Sequence, residues 1–215
     1  MKLEVSTLWG LRALDEIQLT GDYIDLLEQQ LPDLRRSAEK AIRAEASLER
    51  AGAEGDDDRL VAFHEEASQL EQLVEILTRP IAYGAFLAVW SMYESIVEEV
   101  ARRKVGGRVP SGKTNFVQRA KDHFCKHQLQ LHPEFDDSAW KHLSSVCAMR
   151  NVIAHANGWL GWANSAQGDR VRELIDSSPH LQIAEGHVLI SLKFSRELYD
   201  TLSTNLRDLV TRVHK

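Results

Sequence analysis

The sequence predicts a mostly α-helical fold, a helical bundle with one small β-hairpin before the C-terminal helix. Along most of the 215 residues, apolar side chains recur at steps of three and four, the spacing that places them on one helix face. One stretch, residues 181–192, instead alternates apolar and polar residues in steps of two, as strands do. Hydrophobic residues make up 43% of the chain and charged residues 27%, so the chain can bury a core. Fibrous and disordered classes are therefore excluded.

The first 78 residues predict an N-terminal helical arm. Apolar residues keep a helical period over residues 26–46, and Pro32 suits the first turn of a second helix within that stretch. The period resumes over residues 60–77 and then meets Pro80, where a helix ends or kinks. We assign residues 1–78 to this arm, packed on the bundle.

The bundle is assigned to residues 79–215, and we expect arm and bundle to form one compact unit. Its central helix is predicted from Ile81 to about Arg103, because apolar residues there are spread widely around the helix circumference. The side chains expected in the core from this helix are Phe86, Val89, Trp90, Tyr93, Ile96, Val97 and Val100.

The remaining elements follow from breaks and periods in the second half. Glycine and proline over residues 106–112 interrupt the chain, and a helical face restarts over residues 116–124. The next helix begins at good capping residues, Asp136 to Ser138, and stops at Gly158. The last elements are a short helix around residues 171–175, a hairpin over 181–192 with Glu185-Gly186 as its turn, and a helix over 198–213.

We expect the protein to be cytoplasmic. The longest apolar stretch, residues 81–92, is shorter than the about 20 residues that a membrane span needs, so no membrane is expected as a partner. The N-terminus carries Glu4 where a signal peptide would begin its apolar core. The two cysteines, Cys125 and Cys147, are too few for a secreted disulfide framework. We therefore expect reduced thiols.

Charge divides the chain in two. Residues 1–100 hold 9 Lys and Arg against 21 Asp and Glu, whereas residues 101–215 hold 17 against 11. A basic segment inside an acidic protein suits a partner that carries phosphates, because cations bound to phosphates release counterions. It suits equally an intramolecular surface that faces the acidic half. The cations of this segment are Arg102, Arg103, Lys104, Arg108, Lys113, Arg119, Lys121 and Lys126.

The segment from Gly107 to Thr114 matches the pattern of a nucleotide phosphate-binding loop, with Gly112-Lys113-Thr114 at its end. That loop requires a buried strand before it and a helix after it, so that amide groups surround the phosphates. Here a polar helix end precedes it, and Pro110 lacks an amide hydrogen. The sequence therefore favours a glycine-rich turn over an ATPase site.

A cluster of His123, Cys125, His127 and His132 raises the possibility of a metal site. His123 and His127 are four residues apart and share a helix face, but Cys125 points elsewhere. No second pair of ligands follows at a suitable spacing. We therefore expect neither a metal nor another cofactor.

A polar ridge ends the helix that closes at Gly158. Asn151 and His155 are four apart and share a face, while Arg150 lies about 100° to one side. One interpretation is structural: Arg150 pairs with an acid of the bundle, and His155 with Asn157 caps the helix C-terminus, where a cation is favoured. The other interpretation is a site.

The segment Arg150-Asn151-Val152-Ile153-Ala154-His155 resembles the Arg-x4-His signature of the HEPN superfamily, the higher eukaryotes and prokaryotes nucleotide-binding domains. Those domains are small helical bundles whose motif closes a late helix. Their earlier core helix with a Glu is similar to Trp90-Ser91-Met92-Tyr93-Glu94-Ser95. The resemblance covers about residues 79–214 and leaves the N-terminal arm unexplained.

The resemblance implies a metal-independent endoribonuclease that leaves 2′,3′-cyclic phosphate and 5′-OH ends, in some members as a toxin or antiviral effector. It implies a homodimer with a composite site, in which His155 transfers protons and Arg150 stabilises the phosphate. Asn151 would orient His155 or the phosphate, and Glu94 would fix Arg150. A regulatory protein partner is also expected. In the branch of the family that a nucleotidyltransferase partner silences, a Tyr lies two residues after the His. This chain has Asn157 at that position, so the resemblance does not extend to that modification. RNA contacts are assigned to Arg102, Arg103, Lys104, Arg108, Lys113 and Asn157.

Two other functions stay open. The chain can be a helical module that binds RNA, nucleotides or proteins without catalysis, or an interaction protein whose acidic helices, residues 22–77, hold a basic partner. RNA binding that weakens as salt is added is expected of the nuclease and of the non-catalytic module, and not of the interaction protein. Trp159 and Trp162 mark a candidate dimer edge, with core packing as the favoured explanation.

Overall fold

The computed structural model describes the backbone of residues 5–53 and 57–214 and the side chains of residues 8–41, 43–44 and 78–213. Within these ranges it is mostly α-helical with one two-stranded antiparallel sheet before the last helix, which confirms the predicted fold class. The helices are α1 (Val5–Ala53), α2 (Asp57–Val100), α3 (Phe116–Lys126), α4 (Asp137–Ala156), α5 (Ser165–Asp176) and α6 (Leu192–His214), and the strands are β1 (Leu181–Ala184) and β2 (His187–Ile190). A π-helical turn, Ala101–Val105, follows α2, and a 3-10 turn, Leu160–Trp162, follows α4.

Two prolines lie inside helices, where the sequence predicts interruptions. Pro32 lies within α1, so the prediction that a second helix begins there is wrong. Helix α2 continues through Pro80 and does not end there. Each proline removes one backbone donor, but both are exposed, so water can bond to the carbonyl that loses its partner. The proposed boundary between arm and bundle, at residues 78 and 79, lies inside α2.

The first half of α1 packs on the bundle. Trp9, Ala13, Ile17 and Ile24 belong to the main hydrophobic core, whereas the described side chains from 25 to 44 include none that is buried. The Tyr199 hydroxyl donates to the Ile17 carbonyl at 3.0 Å. The interpretation of residues 22–77 as an acidic clasp depends largely on side chains outside the described ranges.

Helix α2 is the central helix, as the sequence predicts. All seven side chains expected in the core are buried to within 1% of full burial: Phe86, Val89, Trp90, Tyr93, Ile96, Val97 and Val100. Burial of each large apolar side chain stabilises the fold by about 1.5–3 kcal/mol, so the packing of the other helices on α2 is a main source of stability. No helix of the described residues has the length and hydropathy needed to cross a membrane.

The hairpin holds the end of α4 in place. Leu181 pairs with Ile190 in β1 and β2, and the connecting residues Glu185 and Gly186 both have positive φ, as a two-residue hairpin turn requires. The amide of Val188 donates to the Gly158 carbonyl at 2.9 Å. Strand β2 is therefore hydrogen-bonded to the loop that follows α4.

Candidate active site

Helix α4 carries the polar ridge and has well-defined ends. Asp136 caps its N-terminus by accepting a bond from the Ala139 amide at 2.8 Å, as the sequence predicts. Asn157 ends the helix in the left-handed conformation, and its amide donates to the Val152 carbonyl. Asn157 is exposed and so remains accessible to a ligand.

Gly158 is required directly after the ridge. Its φ is +81°, which disfavours other residues, and an added Cβ would lie 2.9 Å from Tyr83 Cζ and closer still to the hydroxyl. That hydroxyl donates to the Val188 carbonyl, and burial raises the pKa of Tyr83, which keeps the donor protonated. The turn is thereby fixed between α2 and the hairpin.

Glu94, Arg150 and Asn151 form one hydrogen-bonded group. Arg150 donates through Nη2 to Glu94 Oε2 at 3.1 Å and through Nη1 to Asn151 Oδ1 at 3.1 Å. The ion pair joins α2 to α4, and its side chains are 25% and 28% exposed. These two bonds use two of the five guanidinium N–H groups, and the exposed part of Arg150 can meet a phosphate.

His155 lies on another side of the same ridge. Five residues beyond Arg150, it is displaced by about 7.5 Å along the helix axis and by about 140° around it. Its side chain is exposed, and its ring lies 5.8 Å from the Trp162 ring, tilted by 36°. The chain therefore directs Arg150 toward α2 and His155 toward the loop after α4.

Trp159 and Trp162 are not core residues, contrary to the favoured sequence interpretation. Their exposed fractions are 51% and 49%. Burial is decided by what packs on a loop, and the pattern of one short polar loop does not contain that information. The sequence pattern therefore does not indicate that an aromatic side chain adjoins His155, although two tryptophans in a turn directly after the motif are an available signal.

The residues assigned to RNA contacts fall into two groups. Arg102 and Arg103 both pair with Glu99, and Arg103 also lies over the Trp9 ring at 5.6 Å, so their charges are partly compensated within the protein. This is the intramolecular alternative that the charge pattern left open. All five cations are exposed, including the second group, Lys104, Arg108 and Lys113.

The loop that carries Arg108 is bonded to Glu98 of α2. The amide of Val109 donates to Glu98 Oε2 at 3.2 Å, and Glu98 lies one helical turn from Glu94 on the same face of α2. The helix α3 follows the loop, but a π-helical turn and not a buried strand precedes it, so the phosphate-binding pattern lacks the strand that it requires.

The four residues of the possible metal cluster are not brought together. His123 and His127 have ring centroids 5.2 Å apart, but His132 lies in the core with Nε2 3.2 Å from the Tyr93 hydroxyl. Burial first, and then the nearby Arg212, lower the pKa of His132 to about 4. The described residues contain no group of three or more side chains arranged to hold a metal ion.

Comparisons of the chain with protein-family models, with curated proteins and with solved structures gave no match.

Proposed function

We propose that the protein is a metal-independent endoribonuclease of HEPN type that cleaves RNA to 2′,3′-cyclic phosphate and 5′-OH ends. One observation carries the proposal: Arg150, fixed by Glu94 and Asn151, shares a helix end with an exposed His155. Each residue of the Arg-x4-His motif thus has an environment that suits its expected role. Acting on RNA of its own cell or of a virus, such an enzyme would be a toxin or an antiviral effector.

The chemistry needs only protein groups. An imidazole can remove the proton of a ribose 2′-OH near neutral pH, and the 2′-oxygen then attacks the adjacent phosphorus. The P–O5′ bond breaks, the 5′-oxygen takes a proton from an acid, and a cyclic phosphate remains. Arg150 would stabilise the extra negative charge on the phosphoryl oxygens, where a fixed cation is most effective. Glu94 acts as a positioning residue, because it holds the guanidinium.

A composite site in a homodimer explains why Arg150 and His155 diverge. Separated by about 140° around one helix, the two side chains face different directions in a single chain. A second copy can supply the missing group to the same phosphate. Mixing inactive Arg150→Ala and His155→Ala proteins tests this, because a heterodimer restores one complete site and cleavage should return; continued inactivity of a verified heterodimer contradicts the composite site.

A non-catalytic module that binds RNA, nucleotides or a protein is the second candidate. The partly buried pair of Glu94 and Arg150 favours it, because such a pair also serves to join two helices without any chemistry. A regulatory protein partner is compatible with either function.

The test is cleavage of total RNA by purified protein in EDTA, with identification of the fragment ends. Arg150→Ala and His155→Ala are compared with the wild type, and His127→Ala serves as a control at an exposed histidine directly after α3. Circular dichroism verifies that all four proteins are folded. Cyclic-phosphate ends lost in the first two variants alone support the proposal. Salt-dependent RNA binding without cleavage favours the module, and cleavage that survives both substitutions contradicts the assigned residues.

A further inference from the structure

We propose that Trp159 and Trp162 form a stacking platform for the bases of unpaired RNA beside His155. The inference rests on the proposed function, since it names the form of RNA that the same site would take. Both indoles are about half exposed, in a loop directly after the motif helix. Two exposed tryptophans leave a large apolar surface in water. Proteins that bind single-stranded nucleic acid commonly stack bases on such aromatic rings.

Trp159 is held with one side against backbone. An added Cβ at Gly161 would lie 2.6 Å from Trp159 Cζ2, and one at Gly186 would lie 3.6 Å from Trp159 Cδ1, so the ring covers both glycines. The Trp159 amide donates to the Ala156 carbonyl at 2.9 Å, and the Leu160 amide donates to the Gly186 carbonyl at 2.9 Å. The ring is therefore fixed before any ligand binds, which lowers the entropy cost of binding.

Trp162 connects this platform to the chemistry. Its ring centroid is 5.8 Å from that of His155, and the two rings are inclined by 36°. A base stacked on Trp162 would bring its own ribose next to the imidazole that is proposed to act on a 2′-OH. Exposed Asn157 lies between the two aromatic positions and the ridge along the chain, where its amide can bond to the base or the sugar.

The size of the patch favours a nucleobase over a protein partner. The half-exposed indoles offer about 200 Å² together, whereas a stable protein interface buries about 800 Å² on each side. Leu160, between the two tryptophans, is buried, and the exposed residues nearest to them along the chain are small or polar, such as Gly161, Asn164 and Ser165. A duplex hides the faces of its bases, so the platform selects single strands, loops and ends, with little preference for sequence.

The test measures binding without cleavage. A short 2′-O-methyl oligouridine lacks the attacking hydroxyl and stays unpaired, and a 2′-O-methyl hairpin stem of similar length is the paired control. Trp162→Ala and Trp159→Ala should each weaken binding of the unpaired probe by about 5- to 150-fold, the factor for one lost base–aromatic stack, and leave stem binding unchanged. Trp162→Phe should retain most of the affinity, which shows that an aromatic face is sufficient. Tyr23→Ala, at an exposed aromatic residue on α1, should bind like the wild type.

The outcomes separate this inference from the proposed function. Unchanged affinity of both alanine variants overturns the platform, even where cleavage depends on Arg150 and His155. Loss of unpaired-probe binding in a protein that never cleaves RNA supports the platform and contradicts the nuclease. A shift of oligomeric state in Trp159→Ala, measured by sedimentation with unchanged RNA affinity, means that a second copy covers the patch and also overturns the inference.

Discussion

Replacing Gly158 by alanine should be among the most destabilising single changes in this protein. Forcing a non-glycine residue into the left-handed region costs about 1–2 kcal/mol. The new methyl group would also lie 2.9 Å from Tyr83 Cζ, and overpacking of this kind costs about 1–3 kcal/mol more. We therefore expect the free energy of unfolding to fall by about 2–5 kcal/mol, measured by urea denaturation with tryptophan fluorescence.

Gly106 is a matched control for this prediction. Its φ of +82° is nearly identical to that of Gly158, but an added Cβ would find no atom within 4 Å. Gly106→Ala should therefore cost only the backbone part, about 1–2 kcal/mol. Equal losses in the two variants would refute the argument, because they would show that Tyr83 does not fill the space beside Gly158.

Tyr83→Phe extends the same argument to a double-mutant cycle. Alone it removes the buried hydrogen bond to the Val188 carbonyl and should cost about 1–3 kcal/mol. Combined with Gly158→Ala it also removes the nearest clashing atom, so the double variant should lose less stability than the two single losses together.

Three further predictions concern charge. Glu94→Gln should slow RNA cleavage by about 10- to 100-fold through misplacement of Arg150, yet lower the unfolding free energy by only about 1 kcal/mol, because water still reaches about a quarter of each side chain of the pair. Unchanged cleavage in a timed RNA assay contradicts the positioning role. The pKa of His132 is lowered to about 4 in the folded protein, so the unfolded chain binds more protons between pH 6.5 and pH 4, and stability falls as the pH falls through that window. We expect the free energy of unfolding to fall by about 2 kcal/mol between pH 7 and pH 5, and to fall less in His132→Gln. An equal pH dependence of stability in that variant argues against His132 as the cause. Arg108→Ala should reduce the salt dependence of RNA binding by about one counterion, and Arg102→Ala by less, because only Arg102 is paired with an acid; equal slopes contradict that difference.

Features of the fold that depend on local residue patterns can be predicted from the sequence. The core face of α2 follows from the spacing of its apolar residues, and the hairpin follows from alternation around Glu185-Gly186. The contact of Glu94 with Arg150 joins residues 56 apart, so no periodicity could reveal it, and only the resemblance to HEPN domains suggests it. The catalytic roles of these residues stay predictions.

Other features depend on the tertiary structure. Pro32 reads locally as a helix start, but the helix on both sides of it continues and leaves the proline at an exposed position. Trp159 and Trp162 are large apolar residues and so read as core, although no element of the described structure packs over them fully. In both cases the deciding interaction lies outside the window that a sequence pattern covers.

The end of α4 also bears on the chemical ageing of the protein. Asn157-Gly158 is the dipeptide most susceptible to deamidation, in which the glycine nitrogen attacks the asparagine side-chain carbonyl, ammonia leaves, and hydrolysis of the ring gives aspartate or isoaspartate. Here the Gly158 amide donates to the Val152 carbonyl at 3.1 Å, which holds the attacking nitrogen in the helix end. The folded chain should thus preserve its asparagine while the unfolded chain loses it, and each conversion would add a permanent negative charge two residues from His155.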